Sequence, residues 1–353
     1  MPRSAPASLR AIAERVDTRL DEVLTAERER WAAFDPDLAH PVDEVRRLVL
    51  SGGKRLRPAF CHWGYVGAGG GTNDQIDIDA GAAFELMHAF ALFHDDVMDD
   101  AATRRGQPTT HTLASSDHEA KGWSGESRRF GEGVAILVGD LAFVFADRLL
   151  DAAPREALRI WDVLRIELNI GQYLDILGSV QRERDITKAD RICRYKSGKY
   201  TIERPLHLGA ALIAPDRLDD LLPALSAYGL PLGDAFQMRD DVMGAFGDSA
   251  TTGKPVGGDL LEGKPTPLLA RAVRAATPAQ AAVLELVGTP DMDEATVSCV
   301  QQAIVDTGAL DELERHITAL TEEAIASLET APIAEAAKIE LAALAEYVSW
   351  RDV

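Results

Sequence analysis

The chain has 353 residues, of which 46% are hydrophobic and 27% are charged, so it is long enough to bury a sizeable core. Its formal net charge of -20 argues against nucleic acid as a partner, because a phosphate backbone requires clustered cations. Three scattered cysteines without metal-ligand spacing fit a reducing cytoplasm better than a disulfide framework.

Predicted helices fill nearly the whole sequence. Apolar residues recur at helical spacing, alternating β-branched runs are missing, and no G-x-G-x-x-G motif follows a predicted strand. We therefore predict an all-α fold rather than a nucleotide-binding α/β fold. Pro205 falls inside one apolar helical stretch and should kink it. In chain order, the predicted helices span residues 9–30, 42–50, 78–100, 134–152, 156–177, 188–213, 218–246, 267–275, 294–305 and 310–328.

The segments between these helices are polar or rich in glycine. Residues 67–73 are predicted as a flexible loop, 115–133 as a polar surface loop and 250–263 as a functional loop. No repeat or composition shift marks a second domain, so we predict one domain over residues 1–353. The first residues turn amphipathic at once, and the most apolar stretch, 134–145, is interrupted by an aspartate and too short to span a bilayer. We expect a cytoplasmic protein without a stable membrane anchor.

The most informative segment is FELMHAFALFHDDVMDDAATRRGQPTTH. Asp95 and Asp99 are four residues apart on a predicted helix, so their carboxylates share a face, with Asp96 and Asp100 on its flank. Like charges at this spacing destabilise a helix unless a cation lies between them, and Mg²⁺ suits carboxylates and substrate phosphates. The alternative is a solvated acidic helix end. However, the preceding residues 86–93 are almost wholly apolar, which predicts a helix through the core and favours a metal-diphosphate site.

A second acidic pair, Asp240 and Asp241, follows another apolar helical stretch in GDAFQMRDDVMGAFGD. Two such pairs on core helices can face each other across a cavity and hold metal ions around one diphosphate. Arg104 and Arg105, just past the first pair, suit phosphate oxygens, because a guanidinium group grips them with two hydrogen bonds. Simple charge balance with the aspartates is the alternative for the arginines.

Basic residues also lie next to glycines in four other motifs. Lys54 and Arg57, in SGGKRLRP, are three residues apart, so we expect them on one helical face. A lone lysine is more often a solvated surface residue than a ligand, but four such motifs beside two aspartate pairs predict anion binding. The other lysines are Lys196 and Lys199 in YKSGKYT, Lys254 in TGKPVGGD and Lys264 in EGKPT.

Together these motifs resemble those of the trans-type (all-E) polyprenyl diphosphate synthases, most of all the geranylgeranyl diphosphate synthases. GGKRLRP, HDDVMDD…RRGQPT, GQYLD, YKSGKYT, FQMRDDVMG, TGKP and EGK occur in the family's order within residues 45–270. The resemblance implies a single-domain, all-α barrel of the isoprenoid-synthase type around a deep apolar cavity, usually as a homodimer. It also implies head-to-tail condensation of isopentenyl diphosphate with an allylic diphosphate, dependent on Mg²⁺ and without a protein nucleophile.

The resemblance also implies roles for individual residues. Magnesium would be bound by Asp95, Asp96, Asp99, Asp240 and Asp241, and the metal and water network would be supported by Gln172 and Asp175. The allylic diphosphate would contact Arg104, Lys196, Gln237 and Lys254, with Ser197 also binding substrate and Lys264 helping to close the site. Isopentenyl diphosphate would be held by Lys54, Arg57, His88 and Arg105. Catalysis would depend on Asp95, Asp99, Arg104, Lys196, Asp240 and Lys254.

Two positions bear on the metal ligands and on the product. Gly244 replaces the usual last aspartate of the second motif, which puts the ligands there in question, and Asp248 is a candidate substitute. Phe90, five residues before the first motif, is followed by the small Ala91, a pattern that resembles geranylgeranyl (twenty-carbon) synthases. Farnesyl and longer products stay open, because cavity depth can be set elsewhere, for example by Met87 or by a partner subunit.

Two other functions also stay open. A class I terpene cyclase uses D-D-x-x-D and magnesium, but its usual second motif, N-D-x-x-S-x-x-x-E, is missing here, and it needs no isopentenyl site. A non-catalytic subunit of a heteromeric synthase loses aspartates, and Gly244 is a step in that direction. The first aspartate motif and all the basic motifs are intact, however. Activity of the chain alone distinguishes a synthase from a non-catalytic subunit.

Overall fold

The structure is a computed structural model that describes residues 5–247, 257–290 and 292–350. Secondary structure in these residues is almost entirely helical, which confirms the predicted all-α class. None of their helices combines the length and the apolar character needed to cross a membrane. The first half of the fold contains α1 (Ala7–Ala32), α2 (His40–Leu50), α3 (Leu56–Gly67), α4 (Gln75–Met98), α5 (Thr110–Ala120), α6 (Ser127–Leu149) and α7 (Arg155–Val180).

The second half begins with a change in helix type. Helix α8 (Ile186–Cys193) continues through a π-helical segment (Arg194–Glu203) into α9 (Arg204–Ile213), with Pro205 in the first turn of α9. The helices that follow are α10 (Leu218–Phe246), α11 (Gly258–Leu261), α12 (Pro267–Ala275), α13 (Pro278–Leu284), α14 (Glu294–Asp306), α15 (Ala309–Ser327) and α16 (Glu335–Ser349). Short 3₁₀ turns span Pro36–Ala39, Pro215–Arg217 and Leu328–Thr330, and an antiparallel hairpin between α4 and α5 pairs β1 (Thr103–Arg104) with β2 (Gln107–Pro108).

Helix α4 runs through the core, as its apolar sequence predicts. Helices α1, α3 and α6 pack around it, and its middle residues are buried. Phe84 meets Trp161 of α7 edge-on, with the ring centroids 5.3 Å apart, and Trp161 Nε1 donates a hydrogen bond of 2.7 Å to Asp147. Full burial of a side chain such as Phe84 contributes about 2–3 kcal/mol. The first aspartate motif therefore stands at the end of a rigid, well-packed helix.

The long helix α10 contributes to two buried apolar clusters. Leu225 and Tyr228, near its start, belong to the larger cluster formed mainly by α1–α4, α6, α7, α9 and α16. Met238 and Ala245, near its end, belong to the smaller cluster formed mainly with α12–α15. Tyr228 also donates a hydrogen bond of 2.7 Å to the carbonyl oxygen of Leu341 in α16. One helix thus ties the two clusters together, while the single domain over 1–353 stays a prediction.

The prediction of a surface loop over residues 115–133 is wrong. Helix α5 continues to Ala120 and α6 begins at Ser127, which leaves only a short turn between them. An aromatic cluster closes this turn: the ring of Phe130 lies 5.3 Å from that of His118 and 5.4 Å from that of Trp123. These contacts between helices stabilise a segment whose own polar sequence shows no helical periodicity.

Candidate active site

The first aspartate motif lies at the C-terminal end of α4. The helix ends at Met98, and Asp99 is its C-cap residue, so the motif spans the helix end rather than lying within the helix. Asp95 accepts a hydrogen bond of 3.0 Å from Gln172 Nε2 of α7, and Asp99 Oδ2 lies 3.5 Å from Lys264 Nζ. Burial and the neighbouring charge of Asp95 raise the pKa of Asp99. A cation placed between the two carboxylates would relieve this repulsion.

The β1–β2 hairpin directs two arginines to different partners. Its turn consists of Arg105, with φ 52°, and a glycine, with φ 71°, as a type I′ turn requires. Arg104 Nη2 lies 2.5 Å from Asp96 and 3.3 Å from Asp95, whereas Arg105 donates a hydrogen bond to the carbonyl oxygen of Gly52. Burial disfavours the charge of Arg104, but these aspartates outweigh it and raise its pKa. The two arginines therefore contact different parts of the site: Arg104 contacts the first aspartate motif, and Arg105 contacts the loop that contains Gly52.

A basic wall, formed by Lys54, Arg57, His88 and Arg105, lines one side of the cavity. The Arg57 guanidinium lies 4.3 Å from the ring centroid of Tyr200, over its face. Desolvation and the charges of Arg57 and Arg105 lower the pKa of His88 well below 6.5, so its imidazole is neutral at pH 7. Burial and neighbouring arginines also lower the pKa of Arg105. Crowded cations of this kind are stabilised by an anionic ligand.

Lys54 and Arg57 do not share a helical face, contrary to the prediction from their spacing. Helix α3 begins only at Leu56, and Arg55 before it has a left-handed φ of 51°. The buried Arg55 side chain is fixed by an ion pair of 2.5 Å with Glu85 of α4. This turn brings Lys54 from the loop and Arg57 from the helix to the same wall.

The π-helical segment carries Lys196 and Ser197 into the cavity. A Cβ atom at Gly171 of α7 would lie 2.4 Å from the backbone nitrogen of Lys196, so only glycine permits this close approach. Lys196 Nζ then lies 2.5 Å from Asp175 of α7 and 3.7 Å from Asp95. Burial disfavours the charge of Lys196, but the two carboxylates outweigh it and raise its pKa, which favours the charged form.

The second aspartate motif lies near the end of α10, across the cavity from the first. Gln237 Nε2 donates a hydrogen bond of 2.9 Å to Asp241 Oδ1, while the buried Oδ2 of Asp241 has no hydrogen-bond partner among the described residues. Burial raises the pKa of Asp241 well above its usual range. An unsatisfied buried oxygen costs about 1–3 kcal/mol, and a bound cation would remove that cost. Asp240 lines the same cavity.

Lys264 connects the two walls. Its Nζ lies 2.6 Å from Glu262, 3.5 Å from Asp99 and 3.8 Å from Asp259. Burial disfavours its charge, but the three carboxylates hold the pKa of Lys264 well above its ordinary value. The sequence did not single out Asp259 as a site residue. The only signal was its place in the glycine-rich stretch directly before the EGK motif.

Most of these side chains line one cavity of about 590 Å³. Its wall also contains apolar side chains, including Leu92 of α4 and Phe236 of α10. The candidate residues in its lining are Lys54, Arg57, His88, Asp95, Arg104, Arg105, Asp175, Lys196, Ser197, Gln237, Asp240, Asp241 and Lys264.

The remaining candidates are not among the described residues that line this cavity. Asp99 and Gln172 lie beside it, in contact with Lys264 and Asp95, respectively. Asp96 lines an adjoining pocket beside the hairpin. Neither Phe90 nor Ala91 lines the main cavity; Phe90 instead packs on Phe143 of α6, with the ring centroids 4.8 Å apart. Lys254 lies outside the described residues, as does Asp248.

The carboxylates of the two motifs suit a metal that is shared with a ligand. Among the described residues, no three acidic, histidine or cysteine side chains are grouped closely enough to bind a metal ion by themselves. Mg²⁺ usually takes one or two carboxylates and completes its shell with water and phosphate oxygens. Carboxylates on facing walls and the unpartnered oxygen of Asp241 fit that mode of binding.

Comparisons with known proteins agree on one family. The family model for polyprenyl synthetase matches residues 41–304. The geranylfarnesyl diphosphate synthase of Aeropyrum pernix is 32% identical over 303 residues, which cover 83% of this chain and 88% of that protein. The geranylgeranyl diphosphate synthase of Mycobacterium tuberculosis is 34% identical over 221 residues, which cover 61% and 57% of the two chains. The crystal structure of geranylgeranyl pyrophosphate synthase from Corynebacterium glutamicum, complexed with isoprenyl diphosphate and magnesium, aligns at a TM-score of 0.89 and 37% identity, covering 96% and 98% of the two chains.

Proposed function

The chain belongs to the polyprenyl synthetase family, and we propose that it joins isopentenyl diphosphate to an allylic diphosphate, with Mg²⁺, to give geranylgeranyl diphosphate. The observation that carries this proposal is the division of the cavity cations into two groups. One group contacts the carboxylates of the first aspartate motif, and the other forms the basic wall. Two diphosphates require two such places, one that includes metal ions and one that depends on protein cations. The first group consists of Arg104, Lys196 and Lys264, and the second of Lys54, Arg57 and Arg105.

The aspartate side of the cavity would bind the allylic diphosphate. Mg²⁺ held by Asp95, Asp99 and Asp240 would supply charge neutralisation that weakens the bond between the allylic carbon and the diphosphate. The cations already in contact with the first motif, Arg104 and Lys196, would stabilise the negative charge that develops on the departing diphosphate. Because α4, the hairpin and the π-helical segment hold these side chains in place, little reorganisation is needed as the charge develops.

The basic wall would bind isopentenyl diphosphate. Arg57 and Arg105 provide guanidinium donors, and Lys54 adds a flexible ammonium group. Neutral His88 can donate one hydrogen bond without adding positive charge to an already crowded wall. A diphosphate bound here would relieve the repulsion that lowers the pKa of Arg105.

The reaction needs no nucleophilic side chain. As the carbon–oxygen bond of the allylic diphosphate breaks, the double bond of isopentenyl diphosphate supplies the electron pair of the new carbon–carbon bond. Loss of a proton to the departing diphosphate then restores a double bond. Apolar walls that include Leu92 and Phe236 exclude water, which would otherwise capture the allylic cation.

The twenty-carbon product is proposed from the position of Phe90. This residue precedes Asp95 by five positions, which corresponds to about 7.5 Å along the axis of α4. Its ring does not line the cavity itself but packs against Phe143 of α6, with the ring centroids 4.8 Å apart. A growing chain that extends down α4 would stop at this aromatic pair. The geranylgeranyl synthases among the relatives support this length.

We propose that the active form is a homodimer. Large apolar side chains are exposed along α6, where Leu137 is 69% and Val144 52% exposed, and along α7, where Ile166 is 59% and Tyr173 63% exposed. Their spacing of seven residues places each pair on one helical face. Exposed apolar stripes of this kind mark interaction surfaces, and a second copy of the chain offers a matching stripe.

The proposed function is tested with the purified chain, Mg²⁺, isopentenyl diphosphate and each of dimethylallyl, geranyl and farnesyl diphosphate. Mass spectrometry should find a twenty-carbon diphosphate that is lost with chelator and in Asp95→Asn. Asp100→Asn is the matched control, because Asp100 is exposed outside the cavity and should not affect the reaction. Absence of condensation with every substrate would refute catalysis by this chain and favour a non-catalytic subunit. A cyclised hydrocarbon would indicate a terpene cyclase, and a product of another length would overturn only the assignment of geranylgeranyl diphosphate.

A further inference from the structure

The carboxylate of Asp259 fills the space beside the glycine of the second aspartate motif. Gly244 lies one helical turn after Asp240 and Asp241, where the family pattern has an aspartate. A Cβ atom built on Gly244 would lie 1.9 Å from Oδ2 and 2.5 Å from Cγ of Asp259. These distances are far inside van der Waals contact, so a side chain at 244 and the present position of Asp259 exclude each other.

Asp259 is held firmly in this position. It lies in α11, its carbonyl oxygen accepts a hydrogen bond of 3.0 Å from the Lys264 backbone, and the carbonyl oxygen of Leu260 accepts one of 3.0 Å from Gly288. Its side chain is only 14% exposed and lines the cavity together with both aspartates of the second motif. The carboxylate is therefore presented to the cavity by a fixed backbone.

Two further observations indicate that a cation is favoured at this corner. Lys264 Nζ lies 3.8 Å from Asp259 and 3.5 Å from Asp99 at the end of α4. Within the part of the chain that the structure describes, the buried Oδ2 of Asp241, which lines the same cavity as Asp259, has no hydrogen-bond partner. The corner thus combines a positive charge that bridges the walls with an acceptor that lacks a donor.

We propose that Asp259 supplies the third carboxylate of the second aspartate motif, in place of the side chain missing at Gly244, and helps Asp240 to bind Mg²⁺. This inference rests on the proposed function, which makes Mg²⁺ and a diphosphate the ligands of the cavity. The proposal explains how the second motif can end in glycine: the carboxylate missing at Gly244 is replaced by that of Asp259. The competing explanation is that Asp259 serves only as an ion-pair partner of Lys264, as Glu262 does at 2.6 Å.

The test measures binding of Mn²⁺ in the presence of inorganic pyrophosphate, using the electron paramagnetic resonance signal of free Mn²⁺. Mn²⁺ prefers the same oxygen ligands as Mg²⁺. Asp259→Asn keeps the shape of the side chain and removes its charge, and it should weaken binding of one Mn²⁺ equivalent about tenfold or more. Glu262→Gln is the matched control, because it removes the other close carboxylate partner of Lys264 and should leave Mn²⁺ binding unchanged.

Relocating the carboxylate gives a second, independent test. The double variant Gly244→Asp with Asp259→Gly returns the carboxylate to α10 and frees the space that it needs, so it should recover most of the lost Mn²⁺ affinity. Gly244→Ala retains every carboxylate but pushes that of Asp259 aside, so it should weaken Mn²⁺ binding. Circular dichroism establishes whether each variant is folded. If Asp259→Asn does not fold, the other two variants still test whether Asp259 helps to bind the metal.

Specific outcomes would overturn the inference. Wild-type Mn²⁺ affinity in folded Asp259→Asn would do so, as would an equal loss in Glu262→Gln, which would assign the effect to Lys264. These results leave the proposed function intact as long as the wild-type protein forms a prenyl diphosphate. If the wild-type protein neither condenses its substrates nor binds Mn²⁺ with pyrophosphate, the proposed function itself fails, and the role of Asp259 fails with it.

Discussion

Removal of one charge from the buried pair of Arg55 and Glu85 should destabilise the fold strongly. Glu85 accepts a hydrogen bond of 2.5 Å from Arg55 Nη1, and the two side chains are 5% and 2% exposed. Loss of one member of a buried ion pair costs about 3–5 kcal/mol, because the other charge stays buried. Arg55 keeps hydrogen bonds to Asp17 and to the carbonyl oxygen of Val49. For Glu85→Gln we therefore expect the lower end of this range, about 3 kcal/mol.

A matched control lies on the same helix. Asp79 of α4 pairs with Arg19 at 2.7 Å, but the side chains are 19% and 30% exposed. A partly solvated pair contributes only about 0.2–1 kcal/mol, so Asp79→Asn should change the free energy of unfolding little. Both variants are measured by urea unfolding at one protein concentration, followed by circular dichroism. Equal losses in the two variants would refute the argument that burial sets the value of the Arg55–Glu85 pair.

The same substitution should affect one substrate more than the other. Arg55 lies between Lys54 and Arg57, and Glu85 fixes its left-handed turn. Glu85→Gln should therefore raise the KM for isopentenyl diphosphate and leave the KM for the allylic diphosphate nearly unchanged. Steady-state kinetics with each substrate varied in turn measure both values. Equal increases would show that the pair supports the whole cavity rather than the basic wall.

Three further predictions follow from burial, packing and exposure. Burial lowers the pKa of His207 from 6.5 to about 4, so the unfolded chain binds a proton in this window that the folded chain does not. Stability should fall as the pH drops from 6.5 to about 4, and His207→Gln should remove about 3 kcal/mol of this loss in urea unfolding at several pH values; an unchanged pH slope would contradict it. Phe90→Ala removes the ring that rests on Phe143, so mass spectrometry should detect products longer than those of the wild-type protein, whereas the same product would show that depth is set elsewhere. Leu137→Glu and Ile166→Glu place charges on the exposed stripes and should give monomers in analytical ultracentrifugation, while a monomeric wild-type protein would refute the dimer.

Local patterns in the sequence predicted the parts of the site that depend on single helices. The apolar run 86–93 correctly indicated a core helix, and Asp95 near its end lines the cavity. The pair at 240–241 indicated the facing wall for the same reason. The position of such a helix is strongly restricted. Its apolar part must be buried, and the carboxylates at its end must reach water or a ligand.

Features that depend on contacts between distant segments were not predictable in this way. Helix α3 is buried on nearly all sides, so it lacks the polar face that makes a helix visible in the sequence. Its late start, which separates Lys54 from the helix, depends on the ion pair between Arg55 and Glu85, thirty residues away. Asp259 meets Gly244 only through the tertiary fold, so no local spacing relates them.

The π-helical segment also shows that the number of residues, and not only their identity, determines where a side chain points. A π-helix closes hydrogen bonds from residue i to i+5, so it has more residues per turn than an α-helix. This stretch therefore contains more residues than an α-helix of the same length would. Deletion of one residue would let the stretch close as an α-helix, but it would rotate the preceding residues by roughly 100° about the common axis. Lys196 would then turn away from Asp175 and Asp95, although no residue in contact with it had been replaced. The number of residues between α8 and α9 thus determines the direction in which the Lys196 side chain points around the helix axis.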